Sequence, residues 1–261
     1  MLLGLAAGTA VVLPVAVAAQ STQPRAIGLA VGLLETVDSA AAVRRGFELE
    51  TFEASRTAQL FRGSLRRYRG ASVDALARSG CSVLVGGVAA TDRAAELQAE
   101  ASRRGLLYLN AAAGADSLRS ERCGDLALHV APSNSMRESA AGGSSASPVA
   151  WDPQLVRFGA EQLNDRFRHR YAADMTEDAW CGWMAAKIAW EGALRARSPA
   201  PGEIRDALLH PDAGFDGHKG RALSFDPSDR QLYHPLYASD DLRELAVVRP
   251  SPAHGRGECR R

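Results

Sequence analysis

Four short apolar runs, separated by helical patterns, leave this chain few folds to adopt. Residues 25–34 (RAIGLAVGLL), 82–85 (SVLV), 106–109 (LLYL) and 126–130 (LALHV) are of strand length and almost free of charge. Runs that short and that apolar suit strands buried on both faces, as in a parallel sheet. Between the second and the third, Ala94, Ala95, Leu97, Gln98 and Ala101 recur at helical spacing. Thr91 is placed to cap that helix, Asp92 suits its first turn and Gly105 stops it. Strand, helix, strand at this rhythm predicts an α/β fold on a parallel sheet, with right-handed crossovers that put helices on both faces.

The remaining segments are read the same way. Residues 40–45 are small and helical in type. Phe47, Leu49 and Thr51 alternate with Glu48 and Glu50, which predicts a strand over 47–52. Residues 56–69 are Arg-rich, with Leu60, Phe61, Leu65 and Tyr68 at helical spacing, and 73–78 is helical until Gly80. The stretch AAGGSSAS, from Ala140, is small, flexible and uncharged, the composition of a linker. Leu155, Phe158, Leu163, Phe167 and Tyr171 predict a helix over 155–171. Thr176 caps a longer one, whose acidic start (Glu177, Asp178) and basic end (Arg195, Arg197) suit the macrodipole. Its stripe of Trp180, Trp183, Met184, Lys187, Trp190 and Leu194 is expected as core rather than as an aromatic cage. A short helix over 201–209 and a hairpin of 222–225 with 232–237 follow, and the tail from Pro250 is expected to fray. No internal repeat is visible.

With 46% hydrophobic and 23% charged residues, the 261-residue chain can bury a real core, as one large domain or two small ones. Its 31 basic and 30 acidic residues leave a formal charge of +1, so nothing electrostatic favours nucleic acid or an anionic membrane. Residues 2–19 are apolar or small, broken by Pro14, and end Val17-Ala18-Ala19. That is an export signal with cleavage expected after Ala19, although no Lys or Arg precedes it. The rival is a membrane anchor, for which the run is short and interrupted. Export places the four cysteines in an oxidising space. None forms a C-x-x-C motif, so zinc or thioredoxin-like chemistry is not expected, and three full pairings are open. Cys81 opens an apolar strand and Cys181 lies in a helix, as buried thiols would; Cys123 and Cys259, in polar loops, are the favoured pair.

Residues 83–91 (VLVGGVAAT) run from strand through a glycine pair to a helix start. Exposed N–H groups at such a start bind anions. G-x-G-x-x-G and P-loop signatures are both absent, so a carboxylate fits better than a nucleotide. The plainer alternative is a tight turn that only packs helix on strand. Residues 110–116 (NAAAGAD) end the next strand, and small residues at the carboxyl edge of a parallel sheet leave room for a ligand. His210, Asp212, Asp216 and His218 match no Ca²⁺ or Zn²⁺ loop, so no metal is expected. No G-x-S-x-G, H-E-x-x-H or Cys/His nucleophile pattern occurs; neither catalysis nor a cofactor is expected.

Taken in order, these pieces resemble the type I periplasmic solute-binding proteins of ABC transporters, the leucine/isoleucine/valine-binding group. The resemblance rests on SVLVGGVAATDRAAELQAEASRRGLLYLNAAAGADSLR and HVAPSNSMR, then on WCGWMAAKIAWEGALRA, IRDALL and DGHKGRALSFDPSDRQLYHPLY. AWDPQLVRFGAEQLNDRFRHRY, with the DGHKG segment, is similar to a subgroup that accompanies pyrroloquinoline quinone-dependent alcohol dehydrogenase systems. It spans residues 26–238 apart from one gap; single motifs are degenerate and their order is specific. The resemblance implies ligand contacts at Gly87, Val88, Ala89, Ala90 and Thr91 and at Asn110, Ala111 and Ala112. Trp151 and Asp152 match a loop that would cover the ligand from the opposite side.

One departure is large. After HVAPSNSMR a full member of that family crosses into a second lobe of on the order of a hundred residues; here 137–150 stand in its place. The expected organisation is a signal peptide (1–19), the first segment of lobe one (20–136), a flexible splice (137–150), helices returning to lobe one (151–215), a hairpin remnant of lobe two (216–248) and a flexible tail (249–261). The fold expected is therefore α/β of the periplasmic-binding-protein type I, one lobe nearly complete and the second truncated. The implied function is a periplasmic substrate-binding component that takes a small anionic or amphoteric solute to an ABC permease in the inner membrane. Branched-chain amino acids are the group's default, and a solute of the quinone-dependent alcohol oxidation system is the subgroup's. The alternative is a lobe-one remnant acting as an interaction module or a homodimer, without ligand.

Overall fold

The computed structural model describes residues 26–37, 40–142, 147–247 and 259. The expected signal peptide, the centre of the expected splice and most of the expected tail lie outside the described residues.

Five strands, β1 (Gly28–Leu34), β2 (Ser64–Gly70), β3 (Val83–Gly86), β4 (Leu107–Asn110) and β5 (Ala127–His129), form one sheet in the order β2-β1-β3-β4-β5. Every pairing in it is parallel, as the apolar runs predict. Period-two alternation sends side chains to two faces. Leu29, Val31, Val83, Val85, Leu107 and Leu109 face α1 (Ala41–Thr57) and α6 (Glu177–Ala196) in the main core. Leu84 and Tyr108 face α2 (Val73–Arg78) and α3 (Thr91–Arg103) in a second cluster. Helices thus cover both faces.

Two expected elements are corrected. Residues 47–52 are not a strand but the middle of α1. The chance alternation of Phe47, Leu49 and Thr51 hid a helix buried against α6, in which Glu50 is also buried. Burial pushes the Glu50 carboxyl up to about 7, Lys187 opposing. Residues 56–69 are not one helix: α1 ends at Thr57, a 3-10 turn spans Ala58–Phe61, and Ser64–Gly70 is β2. β2 is an edge strand in which only Leu65 is buried, and its arginines are the charges that protect such an edge.

α1 and α6 approach through glycines. A Cβ on Gly46 would fall 1.8 Å from the Ala179 carbonyl oxygen, and one on Gly182 2.1 Å from that of Val43. α6 is buried along most of its length, with Trp180, Trp183 and Trp190 in the core as expected. Thr176 caps it, its hydroxyl accepting the Ala179 N–H at 3.4 Å.

The expected splice has ordered ends. α4 (Asn134–Ala141) carries Ser139 and Ala140 into helix, and Pro148–Val149 forms β6. Glu177 joins the two ends, pairing with Arg137 and accepting the Ala150 N–H, while Arg137 also donates to the Pro148 carbonyl at 2.6 Å. The helix over 155–171 begins late, as α5 (Ala160–Tyr171), and α7 is Pro201–Leu208. β7 (Phe215–Asp216), β8 (Ala222–Phe225) and β9 (Leu232–Tyr233) make one antiparallel sheet. β10 (Leu236–Ala238) pairs with β6 and with β11 (Glu244–Leu245) in another. Their apolar residues Phe215, Leu223, Phe225, Leu232 and Leu236 join the main core rather than forming their own. Cys123 and Cys259 are disulfide-bonded, as favoured, while Cys81 and Cys181 are buried thiols.

Candidate functional site

In a sheet of order β2-β1-β3-β4-β5 the chain winds outward from β1 to β2, then returns past β1 to β3. Loops leave the carboxyl ends of β1 and β3 in opposite directions, which opens a crevice where α/β proteins bind ligands. A cavity of about 190 Å³ lies there, lined by Leu34, Glu35, Thr36, Ala40, Arg44 and Gly87, among others. The Ala40 N–H donates to the Gly87 carbonyl at 3.0 Å, fixing one loop to the other. α1 starts at this cavity with Ala40 as its N-cap and no side-chain capping bond. The N–H groups of its first turn point out of the helix end, and the Ala40 side chain caps none of them. α3, which follows β3, likewise starts uncapped, whereas Ser72, Ser133 and Thr176 cap α2, α4 and α6. Glu35 and Arg44 face each other across the rim at 3.7 Å, and Arg69 holds Glu35 from behind at 3.3 Å. Nitrogen donors and a carboxylate thus stand on one small cavity.

Of the residues expected here, Gly87 lines the cavity. Val88 is buried in the cluster under α2 and α3, facing away from it. Ala89 and Ala90 are exposed, and Thr91 is half-buried. Thr91 does not cap α3: Ala90 is the N-cap and Thr91 the first helical residue, so its hydroxyl bonds no backbone N–H there.

In the loop after β4 the N–H groups of Ala111, Ala112 and Ala113 are already taken within the protein. The Asn110 side-chain oxygen accepts the N–H groups of Ala112 (3.2 Å) and Ala113 (2.9 Å). Its amide nitrogen donates to the Ala113 carbonyl (2.7 Å) and faces His129 Nδ1 (3.2 Å). The Ala111 N–H is taken by the Gly86 carbonyl at 2.9 Å. Such local bonding is what Asn does best at a turn. Behind this loop sits Arg119, which sequence reasoning missed. It is buried, bonded to Gln231 and to the carbonyls of Ala113, Ala115 and Ala131, and among the described residues no carboxylate pairs with it. Burial pulls its guanidinium down to about 10. Arg119 therefore pins the loops after β4 and β5 shut.

Trp151 is not poised over a ligand either. It is 2% exposed, stacked on Trp180 at 5.9 Å, with its indole N–H donated to Asn164 at 2.9 Å. Asp152 spends a carboxylate oxygen on the Gln154 N–H at 2.8 Å. The aromatic residues nearby hold a different cation. Lys219 is fully buried, its Nζ 4.3 Å from the Trp180 ring centroid and 5.0 Å from that of Tyr237. It donates to the carbonyls of Ala150 and of Pro235 (2.9 Å). Burial pulls its ammonium down to about 7. A lysine in a chain with only two is the one signal that could have marked it.

Among the described residues no three His, Cys, Asp or Glu side chains gather as a metal site, and no helix is long and apolar enough to cross a membrane.

No protein-family model matches the chain, and no curated protein matches it. Solved structures do. The branched-chain amino acid transporter substrate-binding protein LivJ of Streptococcus pneumoniae, in complex with isoleucine, is 14% identical with a TM-score of 0.60, over 87% of this chain and 100% of that one. An amino acid ABC transporter substrate-binding protein of Pseudomonas fluorescens is 12% identical with a TM-score of 0.68, over 89% and 99%. A solute-binding protein of R. palustris, in complex with benzoate, is 11% identical with a TM-score of 0.61, over 85% and 97%. At such identities the likeness establishes the fold: the chain has the α/β architecture of type I periplasmic binding proteins.

Proposed function

We propose that this chain is an extracytoplasmic solute-binding protein of an ABC-type uptake system, taking a small anionic or amphoteric solute at the cavity between β1 and β3. One observation carries the reading. Gly87, the uncapped start of α1 and the Glu35–Arg44 pair meet in one cavity at the crevice where a sheet of this order binds ligands. Arg44 and the first-turn N–H groups suit a carboxylate. Glu35 suits an ammonium group, and its bond to Arg44 is long enough to open. A volume of about 190 Å³ is small; sites for drug-sized ligands run to roughly 300–1,000 Å³, so the solute is of amino-acid size. Isoleucine and benzoate, bound by two of the solved neighbours, are both carboxylates.

In this reading the chain is exported with cleavage near Ala19 and delivers its solute to an inner-membrane permease. Branched-chain amino acids are the first class to try, and solutes of quinone-dependent alcohol oxidation the second. The splice at 137–150 marks an internal shortening, supported by the way Glu177 ties its two ends together.

Calorimetry on the mature chain with leucine, isoleucine, valine, benzoate and pyrroloquinoline quinone tests the proposal. One carboxylate solute should bind, and Arg44→Ala should weaken it roughly tenfold, the loss of a charge-assisted contact. Silence from the whole panel at millimolar concentration would favour the second reading, a lobe-one remnant that serves as an interaction module. That reading is favoured by the closed Asn110 loop and the buried Trp151, two expected contacts that the fold uses for itself.

A further inference from the structure

A second cavity, of about 410 Å³, lies between the segment that leads into α5 and the turn between β10 and β11. It shares no lining residue with the cavity between β1 and β3. Three of its lining residues hold left-handed backbone without being glycine: Phe158 (φ 57°), His218 (φ 57°) and Leu242 (φ 56°). Arg62, Ala172 and Arg197 share that conformation, but each closes a helix, where it is ordinary, and Arg230 (φ 57°) adopts it in the turn between β8 and β9. The three at the cavity close none. For a bulky residue such backbone is costly, and it persists only where the surroundings over-determine it.

Two glycines provide those surroundings. A Cβ on Gly159 would stand 2.8 Å from His218 Nδ1, and one on Gly220 2.7 Å from the Phe158 ring. The result is a phenyl ring held outside the core: Phe158 is 58% exposed, beside Val156 at 63%. Apolar side chains of that size are normally the first to be buried.

The side-chain polar groups of two lining residues, Tyr237 and Arg157, are not committed to the described residues. Tyr237 is 6% exposed, yet its hydroxyl bonds to none of the described residues. Burial pushes its phenol up to about 12, so it stays a donor. At the rim Arg243 pairs with Asp241, and Glu244 with Arg221. The Arg157 guanidinium has no such partner among the described residues. Among the described residues, these pairings leave Arg157 as the one unpaired cation of the lining.

We propose that this cavity binds a small aryl monoanion, its ring laid against Phe158 and Leu242 and its carboxylate taken by Arg157 and Tyr237. A flat ring offers large contact area at little conformational cost, and one negative charge answers the one unpaired cation. The site is separate from the solute cavity and stands whether or not that cavity is occupied.

Titration of the full mature chain with phenylacetate tests this, with phenylacetamide and phenethylamine as neutral and cationic probes. Phenylacetate should saturate a single site, and the other two should bind roughly tenfold more weakly or less. Arg157→Gln should cost about tenfold and Tyr237→Phe about fivefold, the scale of one charged and one neutral hydrogen bond. Phe158→Gly should weaken binding yet raise the thermal midpoint, because glycine adopts φ 57° without strain. The proposal is overturned if phenylacetate fails to saturate at millimolar concentration, or if Arg157→Gln and Tyr237→Phe bind it unchanged. It is equally overturned if Arg44→Ala weakens phenylacetate as much as Arg157→Gln does, which would place the ligand in the other cavity. Sedimentation showing a dimer that Phe158→Gly dissolves would overturn it too, by giving the exposed ring a protein partner.

Discussion

Lys219 shows how one buried charge shapes this molecule. Its ammonium is held by two carbonyls and two ring faces beside His234 Nδ1, and among the described residues no carboxylate bonds to it. Desolvation outweighs those contacts and pulls it down from the usual 10.5 to about 7. Between those two values the unfolded chain carries a proton that the folded chain lacks. Stability must therefore rise with pH across that window, and below pH 7 the folded state bears the full cost, on the order of a few kcal/mol. Lys219→Met removes the titration. Thermal melts of both proteins at pH 7 to 10 should show the wild type gaining on the variant as pH rises; parallel curves would mean that Lys219 does not titrate in this way.

The α1–α6 contact carries the same reasoning to a pair of elements. At Gly46 and Gly182 backbone lies where a Cβ would have to go. Gly46→Ala would raise intrinsic helix propensity by about 1 kcal/mol, but overpacking of a tight contact costs roughly 1–3 kcal/mol or more. With a clash of 1.8 Å against backbone, the second effect wins. The net loss is about 2 kcal/mol at the upper end of that range, so we expect the thermal midpoint to fall by roughly 4–8 °C; a rise would show that the helices can separate at no cost. These glycines also explain what was hard to read. α1 is buried on a broad face, so it lacks a clean amphipathic stripe, and Phe47, Leu49 and Thr51 passed for a strand. In β2 the single buried Leu65 is too weak a signal to outweigh its helical spacing with Leu60, Phe61 and Tyr68 and an edge strand's arginines. The buried strands β1, β3, β4 and β5 were legible because nothing but a two-faced burial explains such runs.

At the level of the molecule, the order of segments was legible and the use of individual side chains was not. The parallel sheet, the helix-borne tryptophans and the first half of the expected hairpin, β8 with β9, follow from patterning over short windows. The Cys123–Cys259 bond, by contrast, was one of three open pairings, and 236–238 pair instead with β6 and β11. Gly87 follows too, as a glycine at a strand's carboxyl end. Arg119 and Lys219 do not, because each acts through partners far away in sequence, Gln231 for Arg119 and Ala150 for Lys219. Glu35 and Arg44 do not because each is one charge among many in the sequence. Asn110 and Trp151 were expected at the ligand for the same reason: sequence names a side chain but not what has already claimed its hydrogen bonds. The fold brings one small, charged, glycine-floored cavity to the point where the loops after β1 and β3 diverge. If that cavity is where the protein holds its solute, backbone amide resonances will say so. In a nuclear magnetic resonance titration with the carboxylate solute that binds best, the amides of Ala41, Ala42, Arg44 and Gly87 should shift first and saturate together. Shifts confined to residues outside the loops after β1 and β3, with those four unmoved, would contradict the assignment of the site.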